Sequence, residues 1–256
     1  MQKLIQTMLF LMAFFLYFPC FANGNEMIFS FQKAKNHLLK IHLKHPYTFY
    51  CKALFFEDKT VILPQGFYAL KYRSRAYRIE WEHIVPAENF GRAFSEWREG
   101  HPDCINSKGV PYQGRKCVLK VNKLFQRMHA DMHNLVPSIG AVNAMRSNYR
   151  FIEFEKNMKN SFGSCPMKIS DRMVEPPEWT RGQIARTYLY FTTVYPIYKL
   201  SKREEKLFQI WNKKYPPNVF ECQRNQEIAQ IQGNLNMITL KACQNLHILD
   251  HFINAL

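Results

Sequence analysis

Six cysteines, Cys51, Cys104, Cys117, Cys165, Cys222 and Cys243, follow an apolar amino-terminal segment, and they restrict the topology of this chain more than any other feature. The segment has one charge, Lys3, then the run Met8 to Phe18, then Cys20-Phe21-Ala22, which has the pattern of a cleavage site. Residues 1–22 therefore read as a signal peptide cleaved near Ala22, and the protein as periplasmic or secreted. The run is about half the roughly 20 residues that span a bilayer, so no stable membrane anchor is expected. Tyr17-Phe18-Pro19 is bulkier than a lipid-attachment site takes before Cys20. An even number of cysteines in an exported chain predicts three disulfides, with fifteen pairings open. Local spacing favours Cys104 with Cys117 and Cys222 with Cys243, which leaves Cys51 for Cys165. That last bridge closes the longest loop and, in the chain-entropy account, stabilises by about 4–5 kcal/mol. Zinc is the competing use, but the chain has no CxxC pair.

Charge narrows the partners. Without Lys3, 34 basic side chains stand against 20 acidic ones, a formal charge of +14. Such a field favours polyanions. It also keeps an exported protein soluble or near an anionic envelope, so charge alone does not single out nucleic acid. With no linker, repeat or low-complexity tract, residues 23–256 read as one domain, and a monomer is expected.

Periodicity predicts a helix-rich α+β chain with short strands. Ile28, Phe31, Leu38, Leu39 and Leu43 form a loose helical stripe within 25–45, while "TFYCKALFF" and "AYRIEWEHIV" read as strands. The spacing Val121, Leu124, Phe125, Met128, Met132 predicts a helix, Pro137 a second helix start, and 182–208 one or two more. A further helix is expected to end near Gly233.

Three stretches could carry chemistry. In "IEWEHIVP" (79–86), His83 lies at a strand end, where a neutral imidazole can act as a base. Glu82 points to the opposite face of an extended strand, so both reach one site only if the chain bends there. In "HADMH", His129 and His133 are four apart and would share a helix face, but Ala130 stands where a zinc protease has its glutamate, which favours structural histidines. In "KGVPYQGRKC" (108–117), Arg115 and Lys116 adjoin a predicted disulfide and could meet phosphate, or could form a solvated loop.

Taken in order, "RIEWEHIVPAENFG", "ADMHNLVPSIGAVNAMRSN", "EPPEWTRGQIAR" and "IQGNLN" resemble the bacterial endonuclease I family of periplasmic and secreted nucleases, within the His-Me finger (ββα-metal) group. The resemblance runs from Cys51 to Cys243. It implies a nuclease cutting DNA, and often RNA, through the backbone with little sequence preference, leaving 5′-phosphates. It also implies a divalent cation: magnesium, with manganese or calcium as substitutes. Residue by residue it implies His83 as general base, Glu82 and Asn134 as cation ligands, and Arg115 at the phosphate, with Arg98 as the rival. The family often has proline where this chain has Met237. A basic, exported nucleic-acid-binding protein that does not cleave is the alternative.

Overall fold

A computed structural model describes residues 23–154 and 158–246. The expected signal peptide lies outside the described residues. The chain begins with α1 (Phe31–His42), started by Ser30, whose Oγ accepts from the Lys33 amide. Its buried stripe is Ala34, Leu38 and Ile41, with Phe31, Leu39 and Leu43 at its margin. Two short strands follow, β1 (Leu54–Phe55) and β2 (Val61–Ile62), paired antiparallel. "TFYCKALFF" thus contributes two residues of strand, the rest being turn.

At the centre lies a β–β–α unit. β3 (Ile79–His83) pairs antiparallel with β4 (Leu135–Ile139), and α6 (Gly140–Arg146) follows at once. Between the strands run the short helices α2 (Ala87–Gly91), α3 (Ser95–Arg98), α4 (Arg115–Val121) and α5 (Lys123–His129). The helix expected to run through Met132 is therefore two, divided at Asn122, whose side chain caps α5 through the Phe125 amide.

Pro137 does not open a helix; it sits inside β4 opposite Trp81. The ladder bonds Ile84 N to Asn134 O and Gly140 N to Arg78 O identify hydrogen-bonded pairs at both ends. Alternation then makes Trp81–Pro137 a non-hydrogen-bonded pair, so the missing N–H faces away from β3. Gly140 is required where β4 becomes α6, because a Cβ there would lie 2.5 Å from the Arg75 carbonyl.

The carboxy-terminal half packs over this unit. β5 (Arg150–Phe151), β6 (Lys168–Ser170) and β7 (Met173–Glu175) form a sheet in the order β5–β7–β6, with β5 parallel and β6 antiparallel to β7. α7 (Glu178–Val194) and α8 (Lys202–Lys214) meet through the stacked rings of Tyr188 and Phe208, centroids 4.3 Å apart. α9 (Val219–Gln232) ends at Gly233, whose φ of +87° suits a residue without Cβ. α10 (Met237–Gln244) starts at Asn236, which accepts from the Ile238 and Thr239 amides. Met237 occupies the first helical position, where proline is favoured but not required.

One apolar core runs through these layers, and the fold is a single α+β domain. Disulfides join Cys51 to Cys165, Cys104 to Cys117 and Cys222 to Cys243. The first spans 114 residues of sequence and fixes the chain beside Tyr50.

Buried imidazoles make this fold acid-sensitive. Burial holds His42 well below its ordinary 6.5, reinforced by Arg224, whose Nε donates to its Nε2, and by His45. Burial pushes His133 down to about 4, against the opposing Asp131 and the bond to the Asn234 carbonyl. Below about pH 6.5 the unfolded chain therefore binds protons at these positions that the folded chain refuses, so the contribution of the two histidines to stability is full above that value and falls on acidification. Each histidine contributes up to ~1.4 kcal/mol per pH unit within its window. Urea midpoints should drop between pH 7.5 and pH 5; a midpoint that stays constant contradicts the burial of these rings as neutral groups.

Candidate active site

His83, Glu82, Arg115 and Asn143 line one cleft of about 460 Å³, with Phe31 and His129 on its wall. β3 stays paired through His83, and the chain bends only at Ile84–Val85 before Pro86 starts α2. The cleft wraps this strand end, so neighbours from opposite faces both reach it.

His83 is held as a neutral imidazole. Its Nε2 lies 2.9 Å from the His129 carbonyl, which can only accept, so the ring proton is on Nε2 and Nδ1 has the free lone pair. Burial pushes its pKa down to about 4, with Arg115 and Arg146 adding to the shift and the His129 bond opposing it. Phe31 stacks on the ring at 5.1 Å and fixes its plane.

Glu82 is a buried carboxylate with one oxygen engaged. Tyr50 donates its hydroxyl to Oε1 at 2.9 Å, and Arg146 Nε lies 3.1 Å from the same atom. Among the described residues no donor reaches Oε2. Burial pushes the carboxyl up to about 7 although Arg146 and Tyr50 both favour the charged form. Arg146 in turn donates to the carbonyls of His83 at 3.0 Å and Ile84 at 2.6 Å. It therefore orients both candidate residues.

The structure places Asn134 apart from these residues. Its side chain is fully buried, outside the cleft lining, with Oδ1 accepting from Val85 N at 2.7 Å and Nδ2 donating to Val85 O at 3.0 Å. The amide clasps the bend after His83 and leaves little capacity for a cation. The asparagine in the cleft is Asn143, on α6, missed by the sequence reading. Its Nδ2 donates to Glu80 Oε2 at 2.8 Å, and no donor among the described residues reaches Oδ1. Arg75 also binds Glu80. Burial favours the protonated Glu80 carboxyl, but the bonds from Arg75 and Asn143 outweigh it and hold its pKa below the ordinary value. No local signal marks Asn143; it reaches the cleft only because α6 begins at Gly140, directly after β4.

Arg115 lies in the cleft at the start of α4, two residues before the Cys104–Cys117 bridge. Arg98 is outside the cleft lining and donates to the Arg92 carbonyl at 2.7 Å. His129 and His133 do not share a helix face, because α5 ends at His129. His133 lies in the 3-10 turn Met132–Asn134, against Tyr190 and the Asn234 carbonyl.

A hard divalent cation fits this donor set. The described residues contain no group of three or more His, Cys, Asp and Glu placed to hold a metal, which disfavours an all-protein cage. What the cleft offers is the open Oε2 of a carboxylate whose charge is poorly compensated, with the amide oxygen of Asn143 on the same lining. Magnesium prefers few protein oxygens and several waters.

The two asparagines should separate by stability. Asn134→Ala orphans a buried N–H and C=O and should cost about 2–5 kcal/mol. Asn143→Ala, half-buried and bonded only to Glu80, should cost about 1 kcal/mol or less. Thermal melts check this, and equal losses contradict the clasp.

The endonuclease I family profile matches residues 29–239. An extracellular deoxyribonuclease of Aeromonas hydrophila is 39% identical over 226 residues, covering 86% of this chain and 91% of that protein. A periplasmic deoxyribonuclease of the same organism is 39% identical, covering 84% of this chain and 87% of its own length. Endonuclease-1 of Buchnera aphidicola subsp. Baizongia pistaciae is also 39% identical, at 84% of both chains. With a profile match across most of its length and relatives at this identity, the chain belongs to the endonuclease I family.

Proposed function

We propose that residues 23–256 form one exported, cation-dependent endonuclease domain that hydrolyses DNA, and also RNA, with little sequence preference. The carrying observation is the pairing of His83, its Nε2 committed to a carbonyl, with the open carboxylate oxygen of Glu82 in the same cleft. The names of the relatives support DNA as substrate and the periplasm or the outside as the site of action.

His83 Nδ1 takes a proton from water, and the resulting nucleophile attacks phosphorus in line with the 3′ oxygen that leaves. A low pKa keeps the imidazole neutral at pH 7, while its bond to the His129 carbonyl holds the ring still. Arg115 pairs with non-bridging oxygens of the phosphate. Glu82 and Asn143 hold a divalent cation, with magnesium the best match. When bound, it supplies positive charge for the transition state and the leaving oxygen. The leaving 3′ oxygen takes a proton from solvent water, and the products carry 5′-phosphate and 3′-hydroxyl ends. Recognition through the backbone carries no base information, and little sequence preference follows.

Plasmid incubated with purified oxidised protein should be degraded with magnesium and left intact with EDTA. A mobility shift without cleavage would select the non-catalytic binder instead. His83→Ala removes the base while leaving Glu82, Asn143 and the basic surface, so cleavage should fall by about 10²–10⁴ with DNA binding retained. Cleavage by that variant at the parental rate contradicts the role assigned to His83.

A further inference from the structure

A second cavity adjoins the cleft. Asn148, in the turn after α6, lines both the cleft and a cavity of about 560 Å³, and α2 forms part of each wall. Four cations line this second space: Arg92 from the end of α2, Arg150 from β5, Arg172 from the β6–β7 turn, and Lys199 between α7 and α8.

Cations outnumber acids on this wall, four to two. Arg92 is held by Glu88 at 2.5 Å. The wall also carries two carboxylates: Asp171, which accepts from Ser170 Oγ at 2.9 Å, and Glu204, which accepts from Ser201 Oγ at 2.6 Å in the cap of α8. Among the described residues, Arg150, Arg172 and Lys199 have no carboxylate within ion-pair distance. Asp171 and Glu204 offset these cations only in part and from beyond ion-pair distance, so the concavity keeps a positive excess that attracts anions.

Backbone geometry at Arg172 points the same way. Asp171 and Arg172 have φ of +49° and +61° in the two-residue turn between β6 and β7. Such a turn closes most easily with glycine at its second position. This chain instead places a guanidinium there, on the cavity wall. Strain of this kind is tolerated where the side chain has work to do.

We infer that this cavity is a phosphate subsite, in which Arg150, Arg172 and Lys199 take backbone phosphates of the substrate strand next to the one being cut. The assignment rests on the nuclease reading above and extends it to the substrate: a strand several nucleotides long, passing from the cleft over Asn148 into the cavity. Very short fragments reach only the cleft, so the enzyme is tuned to polymer over dinucleotide.

The test reads binding in EDTA, by fluorescence anisotropy of a labelled single strand of about 12 nucleotides. At about 100 mM salt, combining Arg150→Gln, Arg172→Gln and Lys199→Gln should weaken binding about tenfold or more, and lower the slope of log Kd against log salt by about 2. A control combining Lys213→Gln, Lys214→Gln and Lys241→Gln removes the same charge from exposed positions outside the cavity and should weaken binding about threefold or less. Arg150→Lys with Arg172→Lys retains the charges and should bind within about threefold of the parent. Equal losses in the two glutamine triples overturn the subsite, as does a lysine variant that binds as weakly as the cavity triple. Because no cation is present, the outcomes separate: a parent that binds but never cleaves defeats the nuclease reading alone, whereas a cleaving enzyme whose cavity triple binds like the parent defeats the subsite alone.

Discussion

A buried guanidinium organises the centre of this protein. Arg146 is fully enclosed, beside Glu82 Oε1, donating to the His83 and Ile84 carbonyls and lying over the Phe151 ring. Taking such a charge out of water is costly, and leaving either partner alone in the interior costs about 3–5 kcal/mol. The pair therefore persists only if both members stay in register. That requirement ties α6 to the end of β3 and leaves Glu82 one orientation, with Oε1 inward and the other oxygen free of donors among the described residues.

Other buried polar contacts hold the same few residues from different directions. Asn134 clasps Val85 from β4, and Arg224 from α9 donates to the Met132 and Leu135 carbonyls at 2.7 and 2.6 Å. Tyr50 reaches Glu82 from the residue next to the Cys51–Cys165 bridge. The disulfide that closes the longest loop thus also steadies a donor to the candidate cation ligand. A site held by strands, one helix and a covalent link is pre-organised, and pre-organised charge is what phosphodiester hydrolysis requires.

Much of this was legible in the sequence, for local reasons. Two disulfides close short stretches of 13 and 21 residues, so spacing anticipated them and elimination left the third. His83 could be placed at a strand end because branched and aromatic residues stop at Pro86. The long helices α7, α8 and α9 follow from apolar periodicity, although their bounds moved to the caps at Pro177, Ser201 and Asn218. The choice between two asparagines was not legible. Reading Pro137 as a helix start hid β4, and with it the fact that α6 begins only at Gly140. A proline in a strand is acceptable when its nitrogen faces away from the ladder, which depends on pairing register and not on local sequence. Tyr50 and Arg146 were invisible for a related reason, since each acts on Glu82 only through tertiary packing.

We propose that Glu82 and Asn143, and not Asn134, hold the cation beside His83. Anomalous diffraction from crystals of the oxidised protein soaked in manganese addresses it directly. The account predicts one strong peak in the cleft, in first-coordination contact with Glu82 Oε2 and Asn143 Oδ1, and no peak at the Asn134 amide. A peak coordinated by Asn134, or a cleft without a peak at saturating manganese, would contradict it.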